Sequence, residues 1–403
     1  MKSLVLMSTI VVIFISDFYR KNNKITLFEY PILILFAVLG MLVMISSNDL
    51  IILYISLELQ SLSLYVLVTI KRDSSKAAEA GLKYFILGSL ASAILLYGFS
   101  LIYANTGHTN FINISQSIAG SSELSIGLIL GIIFVLSGMA FKLSAAPFHM
   151  WTPDVYEGSP SSVTTFLVAA PKIAAITIII RLVNEPFIGA LFIWQQILVA
   201  IAVFSMAIGA FTALKQNNLK RLLAYSTIGN IGYILIGVVA SSEFGIISSI
   251  LYITLYVVMS LGAFAFIMSL RREEEQINNI DNLAGFSKSH PLIAIIISII
   301  LLSMAGIPPL GGFIGKFYIF LAAIESGYAY LAIIGVIFSV ISAFYYLKII
   351  KVMYFDDLSE SLSLVIDKKL LITMVFSALF MVLFLLFAKS FINLITGSVG
   401  FVV

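Results

Sequence analysis

Ala305-Gly306-Ile307-Pro308-Pro309-Leu310-Gly311-Gly312 lies in the middle of an otherwise apolar run from 291 to 325. As one helix, that run would be about 50 Å long at 1.5 Å per residue, against a bilayer core of about 30 Å. Two adjacent prolines and three glycines break any continuous helix there. The stretch therefore predicts a membrane span interrupted near its centre. The span at 125–151 repeats the pattern, with Pro147 interrupting it just after Lys142. Broken helices at membrane depth persist only where protein or water satisfies the freed backbone groups. In transporters such breaks lie beside the transported ion. A proline kink with a packing role is the plainer alternative, and the nearby lysines tip the balance towards the first.

The rest of the chain agrees with a membrane protein. Of 403 residues, 61% are hydrophobic and only 11% charged, where a soluble domain carries roughly 25% charged residues. Spans are predicted near 2–16, 27–46, 50–70, 80–104, 125–151, 161–183, 191–214, 221–240, 244–270, 291–325, 328–353 and 370–392, which makes the fold all-α, integral to the membrane, with about twelve transmembrane helices. Met1 to Ile15 starts like a signal peptide, but Ser16-Asp17-Phe18-Tyr19-Arg20 offers no small-residue cleavage site, so it is read as a span. The absence of cysteine excludes a disulfide framework, thiolate metal ligands and Cys-held iron–sulfur clusters. Three histidines, His108, His149 and His290, leave little for haem or zinc. No phosphate loop or Rossmann fingerprint appears, so NADH and ATP have no evident site. A net charge of +3 is too small to suggest nucleic acid.

Threading twelve spans places alternate loops on opposite sides. One side receives Arg20, Lys21, Lys24, Lys71, Arg72, Lys76, Lys215, Lys220, Arg221, Arg271, Arg272, Lys288, Lys368 and Lys369, fourteen of the twenty-three basic residues. Loops of the other side have only Lys2. The basic side is then cytoplasm or mitochondrial matrix, with both termini opposite.

An ionisable group at mid-bilayer costs several kcal/mol and marks a functional candidate. Five stand out: Glu58, Lys83, Lys142, Lys172 and Lys316. Each also has a plainer reading: snorkelling for Lys83 and Lys142, a structural salt bridge for Lys172 and Lys316, and charge neutralisation for Glu58. Glu29, Arg181, Glu325, Lys348 and Lys389 fall near span ends and read as solvated or interfacial. Asp49 reads as a helix N-cap. Desolvation lowers a buried lysine's proton affinity and an acidic partner raises it. Lysines in series could thus pass protons, whereas metal cations would want more carboxylates than one. His149 reads two ways, as a titratable bridge between lysines or as an interfacial histidine beside Trp151. Thr152 to Pro160 reads as a tight connecting loop, with Asp154 and Glu157 structural or an entry antenna.

At these residues the sequence resembles the ND2/NuoN family, the antiporter-like membrane subunit of respiratory complex I (NADH:ubiquinone oxidoreductase chain 2). The matching stretches are Asn48-Asp49-Leu50 through Leu57-Glu58-Leu59-Gln60-Ser61-Leu62, Glu79-Ala80-Gly81-Leu82-Lys83-Tyr84-Phe85, and Phe141-Lys142 through Pro147-Phe148-His149-Met150-Trp151-Thr152-Pro153-Asp154. Pro171-Lys172, Lys220-Arg221-Leu222-Leu223-Ala224-Tyr225-Ser226, and Gly306-Ile307-Pro308-Pro309-Leu310 through Lys316-Phe317-Tyr318 complete them. The resemblance implies two inverted five-helix repeats, 27–183 and 191–353, each with a broken helix, flanked by a helix and loop at 1–26 and a loop and helix at 354–403. It implies a mid-membrane proton relay of Glu58, Lys142, Lys172 and Lys316, with Lys83 and His149 beside it and Glu58 paired to Lys142. Electron transfer from NADH to ubiquinone would drive it from partner subunits, which would hold NADH, FMN, the iron–sulfur clusters and ubiquinone. This chain would hold no cofactor and no metal. Its partners would be other complex I membrane subunits, antiporter-like and small, together with membrane lipids.

Two features depart from the family pattern. The resemblance implies fourteen helices, and the twelve predicted spans leave the first two without counterparts here, whether absent or on a separate chain. Asn230 stands where the family usually has His, which removes a titratable group. Richness in Ile, Phe, Lys and Asn suggests an AT-rich mitochondrial genome and hence the mitochondrial inner membrane, with the bacterial plasma membrane as the alternative. Two other functions compete with the relay: a subunit of a cation/proton antiporter complex, and a non-conducting spacer of the membrane arm.

Overall fold

The computed structural model describes residues 1–22, 27–120, 123–272, 275–357, 363–364 and 367–399. Its helices are α1 (Lys2–Asn22), α2 (Glu29–Ser46), α3 (Leu50–Val68), α4 (Ser75–Thr106), α5 (Phe111–Ala119), α6 (Ile126–Leu143), α7 (Trp151–Gly158), α8 (Ser161–Val168) and α9 (Ala170–Asn184). There follow α10 (Leu191–Leu214), α11 (Leu219–Val239), α12 (Glu243–Ser269), the single turn α13 (Phe286–Ser289), α14 (Pro291–Ala305), α15 (Gly311–Glu325), α16 (Ala329–Phe355) and α17 (Lys368–Val399). Three short antiparallel strands, β1 (Leu270–Arg272), β2 (Glu275–Gln276) and β3 (Ser363–Leu364), join in the order β2-β1-β3.

Among the described residues, eleven helical stretches are long and apolar enough to cross a membrane. Helices α14 and α15 together make one more crossing, broken where Pro308-Pro309 was expected to break it. Span ends assigned to the basic side meet in the structure. Arg72 approaches Glu29 at 4.0 Å and Lys369 approaches Asp17 at 3.2 Å, tying span ends on the basic side. Lys24, and the side chains of Lys21, Arg271 and Arg272, lie outside the described residues.

Several expectations are corrected. The segment 152–160, read as a loop, is mostly helix α7, because Pro153 falls in the first turn, where a missing N–H costs nothing. It carries the broken crossing begun by α6 to the basic side. The span at 161–183, read as continuous, breaks at Ala169, and Pro171 sits at the start of α9 for the same reason. Helix α4 begins at Ser75, so Lys83 is more than two turns into it rather than three residues. Lys220, assigned to a loop, is only 3% exposed and donates to the Ser159 carbonyl at 2.8 Å. Arg181, expected to be solvated or interfacial, is bound by Glu185 and by three groups at the end of α2 and in the turn to α3.

The two halves of the chain share construction details. Asp49 caps α3 through the Ile51 amide at 2.8 Å, as expected, and pairs with Asn110 in an antiparallel bridge. Asn218 caps α11 through the Arg221 amide at 3.2 Å and pairs likewise with Asn279. The same sequence separation divides both pairs, yet the bridges lie on opposite sides of the bundle. Small residues let helices meet closely in a bilayer: a Cβ on Gly40 would stand 2.7 Å from the Ser56 carbonyl of α3, and one on Gly209 would stand 2.5 Å from the Gly229 amide of α11.

Candidate functional site

Glu58 falls at the midpoint of α3 and Ser92 halfway along α4. Ser92 donates to Glu58 Oε1 and accepts from Lys142 Nζ at 3.3 Å. Lys142 Nζ also donates to Ser61 Oγ at 2.9 Å. Glu58 and Lys142, expected to pair, are joined through the Ser92 hydroxyl rather than by direct contact. Glu58 and Ser92 sit at mid-helix, hence at mid-membrane depth, and Lys142 meets them from the broken end of α6.

Lys142 occupies the last turn of α6, whose closing carbonyls have no partner within the helix. Lys172, the third residue of α9, supplies one. Its Nζ donates to the Leu143 carbonyl at 2.9 Å, the Lys142 carbonyl at 3.4 Å and the Ser144 hydroxyl. Ser144 ends the helix in the left-handed conformation, with φ 66°. A cation at a helix C-terminus is also favoured by the helix dipole. Trp151 closes this pocket, stacked on Tyr84 with centroids 4.4 Å apart and donating Nε1–H to the Phe141 carbonyl at 3.0 Å. Its ring centroid lies 5.1 Å from Lys172 Nζ.

The second half repeats the device. Helix α14 ends on Gly306, φ 86°, and Lys316 Nζ donates to its last carbonyls, Met304 at 3.2 Å and Ala305 at 3.1 Å. A third bond goes to Ser339 Oγ at 2.9 Å, halfway along α16. Asn230, the departure from the family pattern, is held on both sides of its amide. Tyr252 donates to its Oδ1 at 2.7 Å, and its Nδ2 donates to the Ser226 carbonyl at 2.9 Å.

Lys142, Lys172 and Lys316 are all buried, with exposures of 9%, 1% and 4%. Lys83 and His149 are placed differently. Lys83 is 44% exposed and ion-paired to Glu79 at 2.7 Å and Asp154 at 2.9 Å, in a cleft of ≈160 Å³ on the basic side. Arg221 joins that cluster, 2.7 Å from Asp154 and 3.1 Å from Glu157. Burial opposes the Asp154 charge, but the bonds from Lys83 and Arg221 prevail and hold its pKa below the ordinary value. His149 lies in the turn between α6 and α7, half-buried, beside Met150, which is 67% exposed. None of the hydrogen bonds made by Lys142 or Lys172 reaches it. Ser61, Ser92, Ser144 and Ser339 were missed by sequence reading, because a serine in an apolar helix carries no signal of which neighbour it will meet.

Buried lysines bedded on the carbonyl ends of broken helices, inside a multi-pass bundle, define an antiporter-type membrane subunit. Residues 47–342 match the family described as NADH:quinone oxidoreductase/Mrp antiporter, TM. The chain belongs to that family, in its NuoN-like branch. It is 49% identical to NADH-quinone oxidoreductase subunit N of Paramagnetospirillum magneticum, over 96% of this chain and 80% of that protein. It is 50% identical to the same subunit of Pelagibacter ubique, over 98% and 83%. A chain of respiratory complex I from Thermus thermophilus superposes with a TM-score of 0.82 at 28% identity, covering 97% of this chain and 84% of that one. A chain of the Mrp complex from Dietzia shares the fold, with a TM-score of 0.86 at 23% identity, covering 98% and 82%.

These relatives correct the expected compartment. The organisms named are bacterial, and they support the bacterial plasma membrane rather than the mitochondrial inner membrane. Richness in Ile, Phe, Lys and Asn reports the base composition of a genome, which both kinds of membrane protein can share.

Proposed function

We propose that this chain is the proton-translocating membrane subunit of a respiratory complex I. The observation that carries it is the Glu58–Ser92–Lys142 linkage at mid-membrane, continued through the α6 carbonyl end to Lys172. Protons would pass along Glu58, Lys142, Lys172 and Lys316, driven by NADH-to-ubiquinone electron transfer in partner subunits. Its membrane partners would be antiporter-like and small subunits, while other subunits of the complex would carry the FMN and iron–sulfur clusters. Lys83, with Asp154 and Arg221, stands at the basic-side mouth, and His149 stands on the outer edge of the broken crossing. The matched capping residues, strand bridges and lysine-held breaks support reading 27–183 and 191–353 as inverted repeats, flanked by 1–26 and 354–403.

The test is Lys142→Ala in the assembled membrane complex, with NADH:quinone turnover and proton uptake into inverted vesicles recorded together. A steep fall in both is expected. Unchanged turnover with unchanged protons per electron would make the lysine structural and the chain a spacer. Co-purification without flavin and iron–sulfur proteins would favour a cation/proton antiporter complex.

A further inference from the structure

The serines around the acidic centre do not all use their hydrogens alike. A hydroxyl has one hydrogen to give and two lone pairs to accept with. In α3, Ser56 gives its hydrogen to the Leu53 carbonyl at 2.9 Å, Ser61 to Leu57 at 2.7 Å, and Ser63 to Leu59 at 2.8 Å. These bonds return to the serine's own helix, and a backbone carbonyl does not take up a proton. Ser92 is different. Buried at 3% exposure, it aims its hydrogen across to another helix, at the carboxylate of Glu58, while its oxygen accepts from the Lys142 ammonium.

We propose that Ser92 is the hydroxyl through which a proton moves between Lys142 and Glu58, a step that rests on the proton-translocating reading above. As an N–H bond of Lys142 breaks, an O–H bond forms on Ser92. The original O–H of Ser92 breaks as one forms on Glu58. An ammonium and a carboxylate thus become an amine and a carboxylic acid, with no electrons transferred and no other reactant. The Ser92 hydroxyl then rotates to restore the starting arrangement. Ser61 also touches Lys142, but its hydrogen is committed to Leu57, so it holds the amine without passing the proton.

The experiment is Ser92→Ala in the assembled complex, compared with Ser92→Thr, Ser61→Ala and Lys142→Ala. Turnover and proton uptake are recorded for each. Ser92→Ala is expected to lose about tenfold in both, less than the hundredfold or more of a fully lost proton-transfer group, because water can enter the space. Ser92→Thr, which keeps the hydroxyl, is expected to recover most of the loss, and Ser61→Ala to lose several-fold less than Ser92→Ala. If Ser92→Ala does not assemble, Ser92→Cys, with its weaker donor, serves in the same comparison. Wild-type flux in the Ser92 variant beside a steep loss in Lys142→Ala overturns the proposal, as does a Ser61→Ala loss equal to that of Ser92→Ala. Wild-type flux in Lys142→Ala as well would instead remove the underlying translocation reading.

Discussion

The Lys172 amine lies 3.4 Å from the carbonyl oxygen of Lys142, and 2.9 Å from that of Leu143. One lysine therefore closes the helix end that carries the other. The arrangement joins structure and charge: whatever moves the α6 terminus moves Lys142 against Ser92. Lys316 stands in the same relation to the end of α14.

Replacing Lys172 with Met keeps the volume and removes the amine. The carbonyls of Lys142 and Leu143 would lose a buried partner, at roughly 1–3 kcal/mol for each group left unsatisfied. Thermal denaturation of the assembled complex should show a lowered midpoint, with proton uptake reduced in membranes that still assemble. An unchanged midpoint would mean that the α6 end is held by other groups.

Gly306 takes φ 86°, and a Cβ there would stand 3.0 Å from Lys316 Cδ. Gly306→Ala should therefore cost about 1–2 kcal/mol in backbone conformation alone and displace the Lys316 side chain. The expected result is lower stability together with lower proton uptake, read on the same preparation. Loss of stability with wild-type uptake would separate the helix end from the lysine it faces.

Arg181 binds Glu185 through Nε at 2.7 Å and Nη2 at 2.7 Å, and the Ile45 and Ser47 carbonyls through Nη1 at 2.8 and 2.7 Å. Arg181→Ala leaves a carboxylate and two carbonyls without their partner, a loss of roughly 1–3 kcal/mol for a half-buried pair. Arg181→Lys should recover only part of it, since an ammonium cannot reproduce the planar fork. Unfolding midpoints of the two variants check the order.

Asp154 has a pKa held below the ordinary carboxylate value by Lys83 and Arg221, against the effect of burial. Because the folded-state pKa is depressed, the stabilisation is complete above the unfolded value of about 3.9 and is lost as pH falls through the folded value. The difference in melting point between the native complex and Asp154→Asn should thus stay constant from neutral pH down to about 5 and close only in stronger acid. A gap that already narrows near neutrality would contradict the placement of Asp154 between two cations.

The amino-acid sequence by itself determined the spans, their sidedness and two of the breaks. Apolar length, basic loops and Pro308-Pro309 act locally or through the bilayer, so they can be read along one dimension. It also marked Glu58, Lys142, Lys172 and Lys316, because a charge in an apolar run is conspicuous wherever it finally points. Only the tertiary structure decided what those charges meet. Ser92 lies on a different helix from both Glu58 and Lys142, and nothing in its own neighbourhood distinguishes it from Ser63. Helix packing turned one hydroxyl towards a carboxylate and the other back to its own backbone. Packing likewise buried Lys220 at a helix start that read as loop, drew Lys83 into an ion cluster with Asp154, and broke the sixth span at Ala169, one residue before the helix that carries Pro171. Partners across helices depend on which faces pack together, and that is a property of the folded bundle rather than of any single segment.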